Sequence, residues 1–192
     1  EMYLADIDPL LLQYTPSWLR AAMHRYVTTA YLKGKKLEFD SDDQEGVDLR
    51  ELERAGELRS LHELLALDEE TFWSESQGDA TTARRLDSQV TNMFRFLEGP
   101  GQRHEPLRDF LTRYLAGVIA VAEEHRAQWD EEDAQPRKEA ETEEEEEAMR
   151  KQDDDRWRVR RKQIHAEVTK RVLDLDDRQW ERLDRAYANF VK

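Results

Sequence analysis

Apolar residues recur at intervals of three and four in four separate stretches of the chain, and each such stripe has to be buried against another helix. The first holds Trp18, Leu19, Ala22, Met23, Tyr26, Val27, Ala30 and Tyr31, with Gly34 placed as its C-terminal stop. In the second, Asp48 is expected to cap a run carrying Leu49, Leu52, Leu58, Leu61, Leu64 and Leu65, bent at Gly56. The third, capped by Asp79 and ended by Gly99-Pro100-Gly101, carries Leu86, Val90, Met93, Phe94 and Leu97. Glu105-Pro106 is expected to open the fourth, with Leu107, Phe110, Leu111, Tyr114, Leu115, Val118, Ile119 and Ala122 on its buried side. Asp8-Pro9 and Thr15-Pro16 read as helix starts, and Asp68 as the cap of a short helix offering Phe72 and Trp73 as plugs. Residues 35–46 lack any apolar period and read as a loop.

Seven Gly, five Pro and few β-branched residues argue against strands with their turn-rich connections. The expected fold class is therefore all-α: a multi-helix bundle with an appended long charged helix and a C-terminal aromatic helix. In 192 residues there is room for one core plus an arm. The expected organisation is a helical bundle over residues 1–129, an acidic linker over 130–138, and a charged helical arm over 139–192 that packs back on the bundle or on a partner. Hydrophobic residues make up 38% and charged residues 39%, so much of the helical surface must face water.

The arm draws its character from segregated charge. Residues 130–155 hold fourteen acids and four bases, whereas 156–171 hold seven bases and one acid. Glu146 and Arg150, Glu147 and Lys151, and Asp154 and Arg158 stand four apart with the acid first, the favourable order on a helix. The five consecutive glutamates at 143–147 oppose it, so the acidic end is expected to fray. Trp157, Ile164, Val168 and Val172 form an apolar ridge, and Asp174 or Asp176 caps a last helix with Trp180, Leu183, Tyr187 and Phe190 on one face.

Candidate partner-binding residues follow from that layout: Arg156, Trp157, Arg158, Arg160, Arg161, Lys162, Ile164 and Val168. A basic helical face with an indole able to stack suits phosphates, although the acids upstream compete as an internal polyanion. The plainer reading is a solvated helix whose charges answer the neighbouring acids. Protein partners are expected, and nucleic acid is an alternative partner through the basic segment.

Other chemistries lack their parts. Residues 40–51 partly match a calcium loop, with Asp40, Asp42, Gln44 and Glu51 at ligand positions, but Glu45 stands where the sharp turn needs Gly. None of His24, His62, His104, His125 and His165 has a Glu or a second His three or four residues before it. No Gly-x-Ser-x-Gly turn or phosphate loop is present, and the chain has no Cys. No catalytic, cofactor or metal site is expected, and no enzymatic role. With no 18-residue apolar run and no basic, apolar leader, no membrane span or signal peptide is expected; the expected place is intracellular, with cytoplasmic and nuclear left open. "LALDEETFW" and "LDLDDRQWERL" share a Leu-x-Leu-Asp lead, read as common capping chemistry rather than duplication. The expected role is a non-catalytic interaction or scaffold module of a larger complex, and the alternative is a nucleic-acid- or chromatin-associated subunit.

Overall fold

The computed structural model describes residues 8–33, 36–39, 43–134 and 142–192. The protein is an all-α multi-helix bundle: α1 (Pro9–Tyr14), α2 (Ser17–Thr28), α3 (Asp43–Ala55), α4 (Leu61–Leu65), α5 (Glu69–Ser76), α6 (Ala80–Glu98), α7 (Phe110–Asp133), α8 (Glu143–Val172) and α9 (Asp177–Val191). A two-stranded antiparallel hairpin, β1 (Ala30–Lys33) with β2 (Lys36–Phe39), joins α2 to α3.

The helix starts obey local chemistry. Asp8 caps α1 by accepting from the Leu10 amide at 2.8 Å, with Pro9 at the first helical position. Ser60 and Glu63 form a reciprocal capping box on α4, as do Asp176 and Gln179 on α9. Asp68 and Asp79 cap α5 and α6. The matching Leu-x-Leu-Asp segments thus share one job, since Asp68 and Asp176 each accept from the amide three residues on. At the start of α2 the cap comes from afar: Glu69 on α5 accepts from the Ser17 amide and hydroxyl, both at 2.7 Å. Gly56 closes α3 with φ +70, letting the Gly56 amide reach the Glu53 carbonyl and the Glu57 amide the Leu52 carbonyl.

At the centre lies α6, packed by α2, α3, α4, α5 and α9. Its predicted stripe is buried, and so are Ser88, Gln89, Thr91 and Phe96, because neighbours cover it on more than one side. Phe96 meets the rings of Tyr187 and Phe190 from α9. One apolar cluster runs from Leu11 through Trp18, Leu64, Met93 and Tyr114 to Ile164, Val168 and Tyr187, so the long helix contributes to the same core as the bundle.

Several boundaries differ from the sequence reading. Helix α2 stops at Thr28, and Ala30 and Tyr31 belong to β1, because β-branched Val27, Thr28 and Thr29 weaken the helix just where a strand partner is available. Residues 36–39, read as loop, are that partner. Gly34 lies outside the described residues. Helix α3 starts at Asp43, placing Asp48 inside it as a buried ion-pair member rather than a cap. Glu105-Pro106 makes only a 3-10 turn, and α7 begins after Asp109, whose left-handed φ of 53 redirects the chain. Residues 130–133, read as linker, are the last turn of α7. Trp73 is 46% exposed and bonded to Glu69, so only Phe72 acts as a plug.

Candidate interaction surface on the long helix

Thirty residues of α-helix span about 45 Å, and only part of α8 is held by the bundle. Thr142 caps it, and the glutamates of its first turn stand where the helix dipole favours negative charge. That placement stabilises an end which like-charge repulsion alone would fray. Residues 143, 144, 146–148, 150–152, 154 and 155 are exposed, and the docked portion begins near Arg156.

Docking follows a stripe four residues apart. Arg160 is 3% exposed, and Ile164 and Val168 are fully buried. Helix α8 runs antiparallel to α7, and Gly117 makes the approach possible: a Cβ there would stand 3.0 Å from Val168 Cγ1. Trp157 is partly buried, its ring 5.8 Å from that of Tyr14, which in turn lies 5.5 Å from Trp129.

Between the two indoles sits the Arg160 guanidinium, 5.2 Å from the Trp129 ring and 5.5 Å from the Trp157 ring. Its Nη1 donates to Asp133 at 2.8 Å, and its Nη2 to Asp133 at 3.1 Å and Glu132 at 3.1 Å. Arg156 adds a bond to Asp133 at 2.9 Å. Hydrogen bonding to Arg160 holds the Asp133 carboxyl below the usual carboxylate range and raises the guanidinium's own affinity for its proton. The acids of the last turn of α7 are therefore fasteners for the basic segment. Arg160 Nε has no bond partner, a small residual cost in an otherwise satisfied site.

The remaining candidates divide. Arg161 donates from Nε to the Gln13 carbonyl at 2.9 Å, tying α8 to α1. Arg158 is exposed and stands 3.8 Å from Asp155. Lys162 is exposed beside a shallow recess formed with Pro16, Leu67, Asp68, Glu69, Arg161 and His165. Of the eight, Arg160, Ile164 and Val168 face inward, Arg156, Trp157 and Arg161 lie at the seam, and Arg158 and Lys162 face water.

Sequence reasoning missed His165. Its Nδ1 stands 2.5 Å from the Tyr114 hydroxyl and 3.4 Å from Thr169 Oγ1, and its ring meets the Trp18 and Tyr114 rings edge-on. Loss of water around the ring lowers its pKa, against opposing pulls from the Leu65 carbonyl, Glu69 and Asp68. The cationic Arg161 and Lys162 also line its recess. A lowered folded-state pKa means that the unfolded chain takes the proton first. Stability is thus fully present above the ordinary histidine value of about 6.5 and falls as pH drops below it toward the folded value. Urea titrations at about pH 7.5 and pH 5 should show a fall for the parent and a smaller one for His165→Gln. Equal falls would remove His165 as the cause.

Asp40 and Asp42 of the calcium-like segment lie outside the described residues. Its latter part is helical, and Glu51 there pairs with Arg85 at 3.3 Å. Among the described residues no group of three His, Asp or Glu side chains is arranged to hold a metal ion. Nor is any described helix long and apolar enough to cross a membrane. The chain matches no protein-family model, no curated protein and no solved structure.

Proposed function

We propose that the protein is a non-catalytic α-helical interaction or scaffold module that works as a subunit of a larger complex. The observation that carries this reading is the division of α8. Its C-terminal half is built into the core, while its first three turns present eight acids and two bases over residues 143–155. A stiff, anchored, acidic helix suits a partner with a basic groove, because the ordering cost is met before binding and charge complementarity selects the partner.

Removing the whole arm is a poor test, since it would take Ile164, Val168, Leu183 and Tyr187 out of the core. Changing Glu143, Glu144, Glu146 and Glu147 to Lys leaves that core alone. In affinity capture at about 0.1 M salt the parent is expected to retain a stoichiometric protein partner, and the lysine variant to lose it. Retention by both, or by neither, sinks the reading.

The nucleic-acid reading is weaker, because Arg156, Arg160 and Arg161 are engaged within the chain. It rests on Arg158 and Lys162. Changing both to Glu should weaken binding of a labelled duplex and flatten its salt dependence if that reading holds. Unchanged affinity excludes it.

A further inference from the structure

Helix α3 lies antiparallel on α6, and the contact is largely ionic. Glu45, 6% exposed, accepts from Arg95 Nη1 at 2.7 Å. One helical turn on, the fully buried Asp48 carboxylate accepts from Arg84 Nε at 2.8 Å, from Arg84 Nη2 at 3.1 Å and from Ser88 Oγ at 3.3 Å. Glu51 meets Arg85 at 3.3 Å, and Glu57, just past the end of α3, meets the same guanidinium at 3.5 Å. Glu45 pairs toward the C-terminal end of α6, whereas Asp48, Glu51 and Glu57 pair with Arg84 and Arg85 near its N-terminal end, so the two helices run in opposite directions.

Among the described residues, Leu49 and Leu52 are the buried apolar side chains of α3, and neither belongs to the cluster that joins the other helices into one core. Burial raises the Glu45 pKa despite the Arg95 guanidinium beside it, so holding that carboxylate charged against α6 works against the fold. At its C-terminal end, α3 leaves through Gly56, where φ is +70 and an added Cβ would meet nothing within 4 Å, a position able to act as a pivot.

A helix that sets a row of acids over a row of arginines is replaceable by another helix with the same row of acids. The fitting pattern is written in α3 itself: acids at 45, 48 and 51 and leucines at 49 and 52 share one face, so a competitor needs acids at i, i+3 and i+6 with Leu at i+4 and i+7. Tethering gives α3 an effective concentration in the millimolar range, which keeps weak mimics out while it is docked.

We infer that α3 is a displaceable acidic cover, and that the face of α6 bearing Arg84, Arg85, Ser88 and Arg95 is a docking site for an acidic amphipathic helix of a partner protein. The inference rests on the reading of the chain as an interaction module but names a different surface from the acidic end of α8. Either surface can fail while the other stands.

The test uses a fluorescein-labelled peptide of residues 43–57 as the probe and the full chain as the receptor. Glu45→Lys with Asp48→Lys sets two like charges against Arg95 and Arg84 and ejects the tethered cover without altering α6. The peptide is expected to bind this variant at least tenfold more tightly than the parent, more weakly as salt rises, and not at all once Arg84→Gln and Arg95→Gln are added. If the double-lysine variant keeps the parent's far-UV circular dichroism and still does not bind, the docking site is wrong. Hydrogen exchange on the parent gives an independent decision should that variant unfold. Amides of α3 exchanging faster than those of α7, with the gap widening in salt, support a detachable cover, and equal slow exchange overturns it.

Discussion

Ile164→Ala is expected to destabilise the fold by about 2–4 kcal/mol, a fall of roughly 5–15 °C in Tm for a chain of this size. Ile164 is fully buried in the cluster that unites α8 with the bundle, so truncation removes transfer energy and leaves a cavity that a packed helix pair only partly collapses. Val159, five residues earlier and 65% exposed, is the internal control: Val159→Ala should change stability by less than about 0.5 kcal/mol. Chemical denaturation of both variants measures the contrast. A near-neutral Ile164→Ala would mean that α8 is laid on the bundle rather than built into it.

Arg160→Ala is expected to cost about 2–3 kcal/mol by the same measurement. The loss falls below that of a fully buried broken pair because its partners Asp133 and Glu132 are 38% and 43% exposed and regain water once the guanidinium is gone. Arg160→Met separates two contributions. A methionine keeps an apolar stem between Trp129 and Trp157 but supplies no donors, so it should recover about half of the loss. Because Arg160 itself is shielded, about 0.5 M salt should leave most of the difference in place. A variant as stable as the parent would reduce this cluster to a decoration of the seam.

Arg160 also shows what the sequence could tell and what it could not. The apolar stripes were legible where burial imposes helical spacing, as for Leu86, Val90, Met93, Phe94 and Leu97, which are all buried, whereas Val27 of the first stripe is 67% exposed and Tyr31 lies in a strand. Arg160 falls on the ridge of Trp157, Ile164 and Val168 at spacings of three, four and four, which is a signal that it needs an internal partner. Reading basic residues as a solvated face hid that signal, and reading 130–133 as linker hid the partner. Asp48 was misplaced for a related reason: an aspartate before a leucine run is the usual mark of a cap, and only tertiary pairing with Arg84 and Ser88 gives it a place inside a helix. The strand pair went unseen because two four-residue strands carry little periodicity.

The bond from Arg161 to the Gln13 carbonyl joins positions 148 apart, and the Tyr187 hydroxyl reaches the Gln89 carbonyl across 98. Helical proteins usually fold fast because their contacts are local in sequence. Here α8 can pack early on its neighbour α7, but the contacts that close α8 on α1 and α9 on α6 are distant, so loops must be ordered before those contacts stabilise anything. Folding should therefore be slower than the helix content suggests. Partly folded chains would then hold the apolar faces of α1, α6 and α9 open to solvent for longer, the interval in which such a chain is most exposed to aggregation.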